Sequence, residues 1–172
     1  MKLSNYILPG AKQVRAYAER LTKDIPENLA ATKPVVEGKL IDINHPVFVF
    51  GHLSLYPVQI ANMLSLPSES MGIPEGYPAL FKIGAPCLDD REKKVYPAFE
   101  EVRAHFFRAT DELLTRFAEV DPVHLDIELE EPGRRERFQT AGAFAAYILL
   151  AHPQVHLGQV SSWRRCMGLG AV

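Results

Sequence analysis

Thiol chemistry is almost absent from this chain, whose two cysteines, Cys87 and Cys166, stand in separate segments with no CxxC spacing. That excludes a disulfide framework and a cysteine-built zinc site as organising features. Long apolar runs are missing too. No window reaches the roughly eighteen uninterrupted apolar residues of a membrane span, and the opening MKLSNYILPGAKQ lacks the apolar core of a signal peptide, so a cytoplasmic protein with no membrane partner is expected. Nor is charge of one sign in excess. Lys and Arg number 19 against 21 Asp and Glu, a formal net charge of −2, without the clustered cations that a phosphate backbone requires, which argues against nucleic acid as a partner. The one short basic run, Arg134, Arg135 and Arg137, is interleaved with Glu130, Glu131 and Glu136 and fits a solvated loop. There is no internal repeat or low-complexity tract.

What is present is the composition of an ordinary globular chain, 47% apolar and 23% charged. Residues 1–172 suffice for one domain with a hydrophobic core and are too few for two ordinary ones. Four segments carry the three- and four-residue apolar step of a helix. The first runs from about Pro9 to Asp24 along Val14, Ala18, Leu21 and Ile25, and Pro26 ends it. An extended linker, KPVVEGKLIDI, leads to the second, where Asn44 suits an N-cap and Pro46 the first turn. That helix reaches about Leu64 with a kink at Pro57, whose missing amide removes the bond to Leu53. The third, Tyr96 to Val120, has the cleanest stripe, in Phe99, Val102, Phe106, Ala109, Leu113 and Phe117, and Asp121 and Pro122 close it. A polar stretch with short-strand character, VHLDIELEEPGRRE, precedes the fourth, which starts at Gln139 or Thr140 and ends at Gly168. The expected fold is all-α, a four-helix bundle of antiparallel or crossover connectivity. Between the second and third helices, the proline- and glycine-rich residues 66–94 make a long irregular connection, readable as a crossover and as a wall or lid over a site.

The fourth helix holds the most informative residues. In AYILLAHPQVHLGQVSSWRR, His152 and His156 lie four residues apart, so an α-helix stacks both imidazoles on one face, and Ala145, Ile148, Gln159 and Trp163 share that stripe. Such a pair points where core side chains point. A lone histidine on an apolar face is ordinarily a hydrogen-bonded packing residue, but two imidazoles buried side by side without a shared partner waste solvation. A metal ion held inside the bundle is such a partner. His52, on the stripe of Phe48, Tyr56 and Met63 in the second helix, is the candidate third ligand.

The order of these residues resembles a known family. One histidine early in the second helix, then H-x-x-x-H-x-G-Q in the fourth, here His52 followed by His152, His156, Gly158 and Gln159, with the basic Trp163 to Arg165 after them, is similar to the DinB-like (YfiT-like) superfamily of metal-binding four-helix bundles. The resemblance spans almost the whole chain. It implies a three-histidine site for a divalent metal ion, nickel, zinc or iron, with positions open to water or a small-molecule substrate, and frequent homodimers. Characterised relatives include S-transferases that use a low-molecular-weight thiol and a thiol-dependent isomerase, while many members are described only as metal-dependent hydrolases. Two departures stand out. Pro153 directly follows the first histidine of the pair and deletes the bond to Leu149, and Leu157 occupies a position that is polar or basic in many members.

Three neutral imidazoles leave the ion its full charge, so it can acidify a bound thiol or water, and a thiol transferase and a hydrolase both draw on that property. A non-catalytic metal- or ligand-binding bundle is the third reading. No general base is evident. Tyr56 and Gln59 are candidates to face the cavity, His105 and His124 fit the surface, Cys87 has nothing nearby to activate it, and the pairs Asp89/Asp90 and Glu100/Glu101 fit solvated faces.

Overall fold

Ile7, Ala11, Val14, Ala18 and Leu21 are buried at helical steps on the first helix, α1 (Ser4–Thr22). In the computed structural model, which describes residues 4–172, this helix begins before Pro9 rather than at it. Proline forfeits only one bond in the opening turns, and Ile7, packed in the core, holds the added turn in place. The linker after it forms the expected extended structure, a hairpin of β1 (Val35–Val36) and β2 (Lys39–Leu40), the only named strands among the described residues.

The second expected helix is two. α2 (Pro46–Leu53) is buried along its whole length, and α3 (Tyr56–Met63) follows after a break at Ser54 and Leu55. Pro57 starts α3 rather than kinking a continuous rod, because its missing amide costs least in a first turn. The cap of α2 is His45, not Asn44. His45 Nδ1 accepts from Phe48 N at 3.2 Å, while its Nε2 donates to the Leu88 carbonyl at 2.9 Å. Residues 66–94 are irregular apart from a 3₁₀ turn at Glu69–Met71 and the short α4 (Tyr77–Phe81).

α5 (Phe99–Ala118) buries the anticipated stripe and lies against α1, α2 and α3. The polar stretch after it is helical rather than extended, with α6 (Pro122–Leu125) and α7 (Pro132–Phe138), and the strand character there shrinks to one bridge between Glu128 and Thr140. Asp121 and Glu131 cap these two helices with their side chains, a local bond that outweighs the β-leaning composition.

The fourth expected helix also changes course. Thr140 caps α8 (Ala141–Ala146), a π-helical turn follows at Tyr147–Ala151, and α9 (His152–Cys166) begins at the histidine itself. α9 packs on α1 and α2 through Leu157, Val160 and Trp163, and its wholly buried Arg164 donates to the Leu21 carbonyl at 2.9 Å and pairs with Asp24. The helices share one hydrophobic core. No helix of the described residues is long and apolar enough to cross a membrane.

Candidate metal centre

His52 sits on the last turn of α2, and its ring is oriented by the connection that follows. Nδ1 lies 2.8 Å from the Phe81 carbonyl at the end of α4. A carbonyl only accepts, so Nδ1 carries the proton and Nε2 is left with a bare lone pair. His156 on α9 is fixed in the same way, with Nδ1 3.1 Å from Oε1 of Gln159, which also accepts from Asn44 Nδ2 at 3.1 Å. His152 stands between them, its Nε2 3.4 Å from that of His52 and 3.2 Å from that of His156. One nitrogen from each ring lies within 4.8 Å of the other two.

This donor set fits a cation. Two lone pairs of fixed tautomer point at one nitrogen of the third ring, where a single N–H can satisfy only one of them, and the other is left to a long contact of 3.3 Å from the Tyr56 hydroxyl to His52 Nε2. A positive ion satisfies all three. Three imidazole nitrogens suit zinc, nickel or iron better than the oxygen-seeking magnesium or calcium. The rings are also kept in the ligating, neutral form. Burial and then the neighbouring charges of His156 and His52 push His152 down to about 3, and burial is the main cause lowering the other two. His152 Nδ1 is buried with no partner, so nothing in the protein fixes that ring's tautomer.

The π-helical turn explains how His152 comes to face the others. Pro153 cannot donate to Leu149, and the His152 amide reaches back five residues to the Tyr147 carbonyl. The extra residue rotates α9 relative to α8 immediately before the first histidine. The bond that Pro153 deletes is thus accompanied by a local change of helical register just before it. Leu157 is wholly buried in the core and takes no part in the site.

Above the cluster opens a cavity of about 720 Å³, lined by the three histidines, Tyr56, aromatic side chains and part of the 66–94 connection. That connection thus forms part of the wall of the site, through Lys82 to Ala85. Tyr56 places its hydroxyl 3.3 Å from His52 Nε2, and burial raises its pKa, so it remains a donor. Gln59 lines a different hollow.

A DinB superfamily model matches residues 11–160. The chain belongs to the DinB superfamily. No curated protein matches it significantly. The matched span takes in α2, the π-helical turn and the part of α9 that bears the histidines, so all three residues of the cluster lie within it.

Other expectations need correction. His105 is buried, not at the surface: the 3₁₀ turn packs on α5, and Tyr77 at the start of α4 meets the His105 ring edge-on at 5.6 Å. A helix covered on two sides hides residues that a one-stripe reading leaves in water. His124 is half-buried on α6 and outside the cluster. Asp90 is buried and accepts from the amides of Lys94, Val95 and Tyr96 at 2.8, 3.0 and 2.9 Å, holding a turn together. Burial raises the Cys87 thiol to about 11, which leaves it unreactive at neutral pH. Arg134 and Arg137 sit on a helix rather than a loop, and both line the cavity. Nothing in their sequence neighbourhood signals this, because the histidines they face lie some distance along the chain.

Proposed function

We propose that the chain is a four-helix bundle of the DinB type in which His52, His152 and His156 ligate one divalent ion, nickel, zinc or iron, and that it transfers a low-molecular-weight thiol to small electrophiles. The convergence of three Nε2 atoms, two of them with their tautomers set by Phe81 and Gln159, carries this reading. When bound, the ion supplies a Lewis acid that lowers the pKa of a thiol or water. The protein's own contributions are distinct from that. The Phe81 carbonyl and the Asn44–Gln159 pair aim the imidazoles, the aromatic walls offer apolar surface to a substrate body, and the Tyr56 hydroxyl offers a hydrogen bond to negative charge developing beside His52.

Two features favour thiol transfer over hydrolysis. The cavity of about 720 Å³ has room for a thiol and an electrophile together. Its only carboxylate among the described lining residues, Glu131, is engaged by the amides of Gly133 and Arg134, so no free carboxylate base is at hand to take a proton from water. A thiol, with a free pKa of about 8.5 against about 15.7 for water, asks less of the ion and of any base.

Metal analysis of protein purified without added metal tests the first half. Near-stoichiometric metal is expected, lost in His156→Ala and kept in His124→Ala; equal losses in both would mean that the wrong histidines have been assigned. The second half is tested by conjugation of chlorodinitrobenzene with a panel of low-molecular-weight thiols, alongside p-nitrophenyl acetate hydrolysis. Metal-dependent hydrolysis without conjugation would replace the transferase by a hydrolase, and metal binding with neither activity would leave a binding bundle.

A further inference from the structure

The cavity over the histidines carries more positive charge than its own acids neutralise. Lys82, just after α4, and Arg134 and Arg137, three residues apart on α7, line it from two segments far apart in sequence. Its carboxylate, Glu131, is held locally, accepting the Gly133 and Arg134 amides at 2.9 Å each and lying 3.7 Å from the Arg134 guanidinium. Lys82 and Arg137 pair with no carboxylate among the described residues. The guanidinium groups are moreover arranged. Arg134 lies over the Phe144 ring and Arg137 over the Phe138 ring, each 5.1 Å from the centroid, and both rings are part of the cavity wall. A guanidinium stacked on a ring uses its flat face and keeps its N–H edge free for a planar acceptor.

We propose that this cavity binds a small organic carboxylate with an apolar or aromatic body, its head held by Arg134, Arg137 and Lys82 and its body against Phe138, Phe144 and Tyr147. The cations that no acid of the cavity balances set its local potential and favour an anion. This names the substrate class for the metal-enzyme reading and rests on that reading for the chemistry, though not for the binding. Arg134 and Arg137 are specificity-determining residues in this role.

The test compares phenylacetate with its neutral amide, phenylacetamide, by chemical-shift titration of metal-loaded and EDTA-treated protein. The acid is expected to bind about tenfold more tightly than the amide in both forms, the scale of a charge-assisted contact. The double variant R134Q/R137Q should erase that preference while phenylacetamide binding stays unchanged, which also shows that the cavity is intact. Equal binding of acid and amide to the unmodified protein would overturn the proposal. So would a preference that survives in both R134Q/R137Q and K82Q. A preference seen only with metal and indifferent to the arginines makes the carboxylate a metal ligand, overturning this proposal and leaving the metal reading standing. A protein that takes no metal yet keeps an arginine-dependent preference does the reverse.

Discussion

Gln159 makes two contacts through one atom, accepting from the His156 ring and from Asn44. Removing it frees His156 to turn and to adopt the other tautomer. Gln159→Ala is expected to weaken metal binding by about 10- to 100-fold, the usual effect of a lost partner behind a ligand, with helical circular dichroism unchanged. Competition against a chromophoric chelator measures it, and unchanged affinity would show that the contact does not orient the ring. Asn44→Ala, one step further out, should cost less. The histidines themselves were legible at this scale because a four-residue spacing on an apolar stripe is a local property. Phe81 was not, since what orients His52 is a backbone carbonyl 29 residues away that carries no side-chain signature.

On α2, packing and capping bear on the site through the element that carries His52. A Cβ on Gly51 would lie 2.5 Å from the Phe81 ring. Gly51→Ala should therefore cost about 1–3 kcal/mol by overpacking, and should also weaken metal binding, because Phe81 is the residue whose carbonyl fixes His52. Denaturant midpoints together with metal affinity check this, and loss of stability alone would uncouple the two. At the start of α2, burial lowers the cap His45 to about 4. Protonation would remove the lone pair that accepts from Phe48. Because the folded value lies below the unfolded one of about 6.5, the unfolded chain binds more protons between them. The contribution of His45 is thus full above about pH 6.5 and lost as pH falls toward 4, on the order of 3 kcal/mol. His45→Asn keeps a capping oxygen without titrating, so its stability deficit against the unmodified protein should shrink as pH falls across that window. A deficit independent of pH would mean that His45 does not titrate there.

For the whole molecule, the shared core stands apart from the histidines. Trp163, Phe117, Phe50 and Leu113 are almost wholly buried and none belongs to the ligand cluster, so a core of this extent should hold without an ion, unlike that of a zinc finger. Metal at a hundredfold excess over its dissociation constant adds about 2.7 kcal/mol by mass action. Chelation should accordingly lower the melting temperature by roughly 5–10 °C in a chain of this size, with helical circular dichroism retained at room temperature. Collapse of that signal on adding EDTA would make the ion structural.

The sequence by itself determined the helical class, the four apolar stripes and the identity of the three histidines, because period and spacing are written in consecutive residues. Only the tertiary structure decided how those stripes are broken. Pro57 starts a new helix where a kink was expected, and the bond lost at Pro153 comes with a π-helical turn, since a proline removes one bond but packing chooses what replaces it. Tertiary structure likewise buried His105 against Tyr77 and brought Arg134, Arg137 and Lys82 to one cavity. Their surroundings depend on how distant segments fold over them, which no local pattern records.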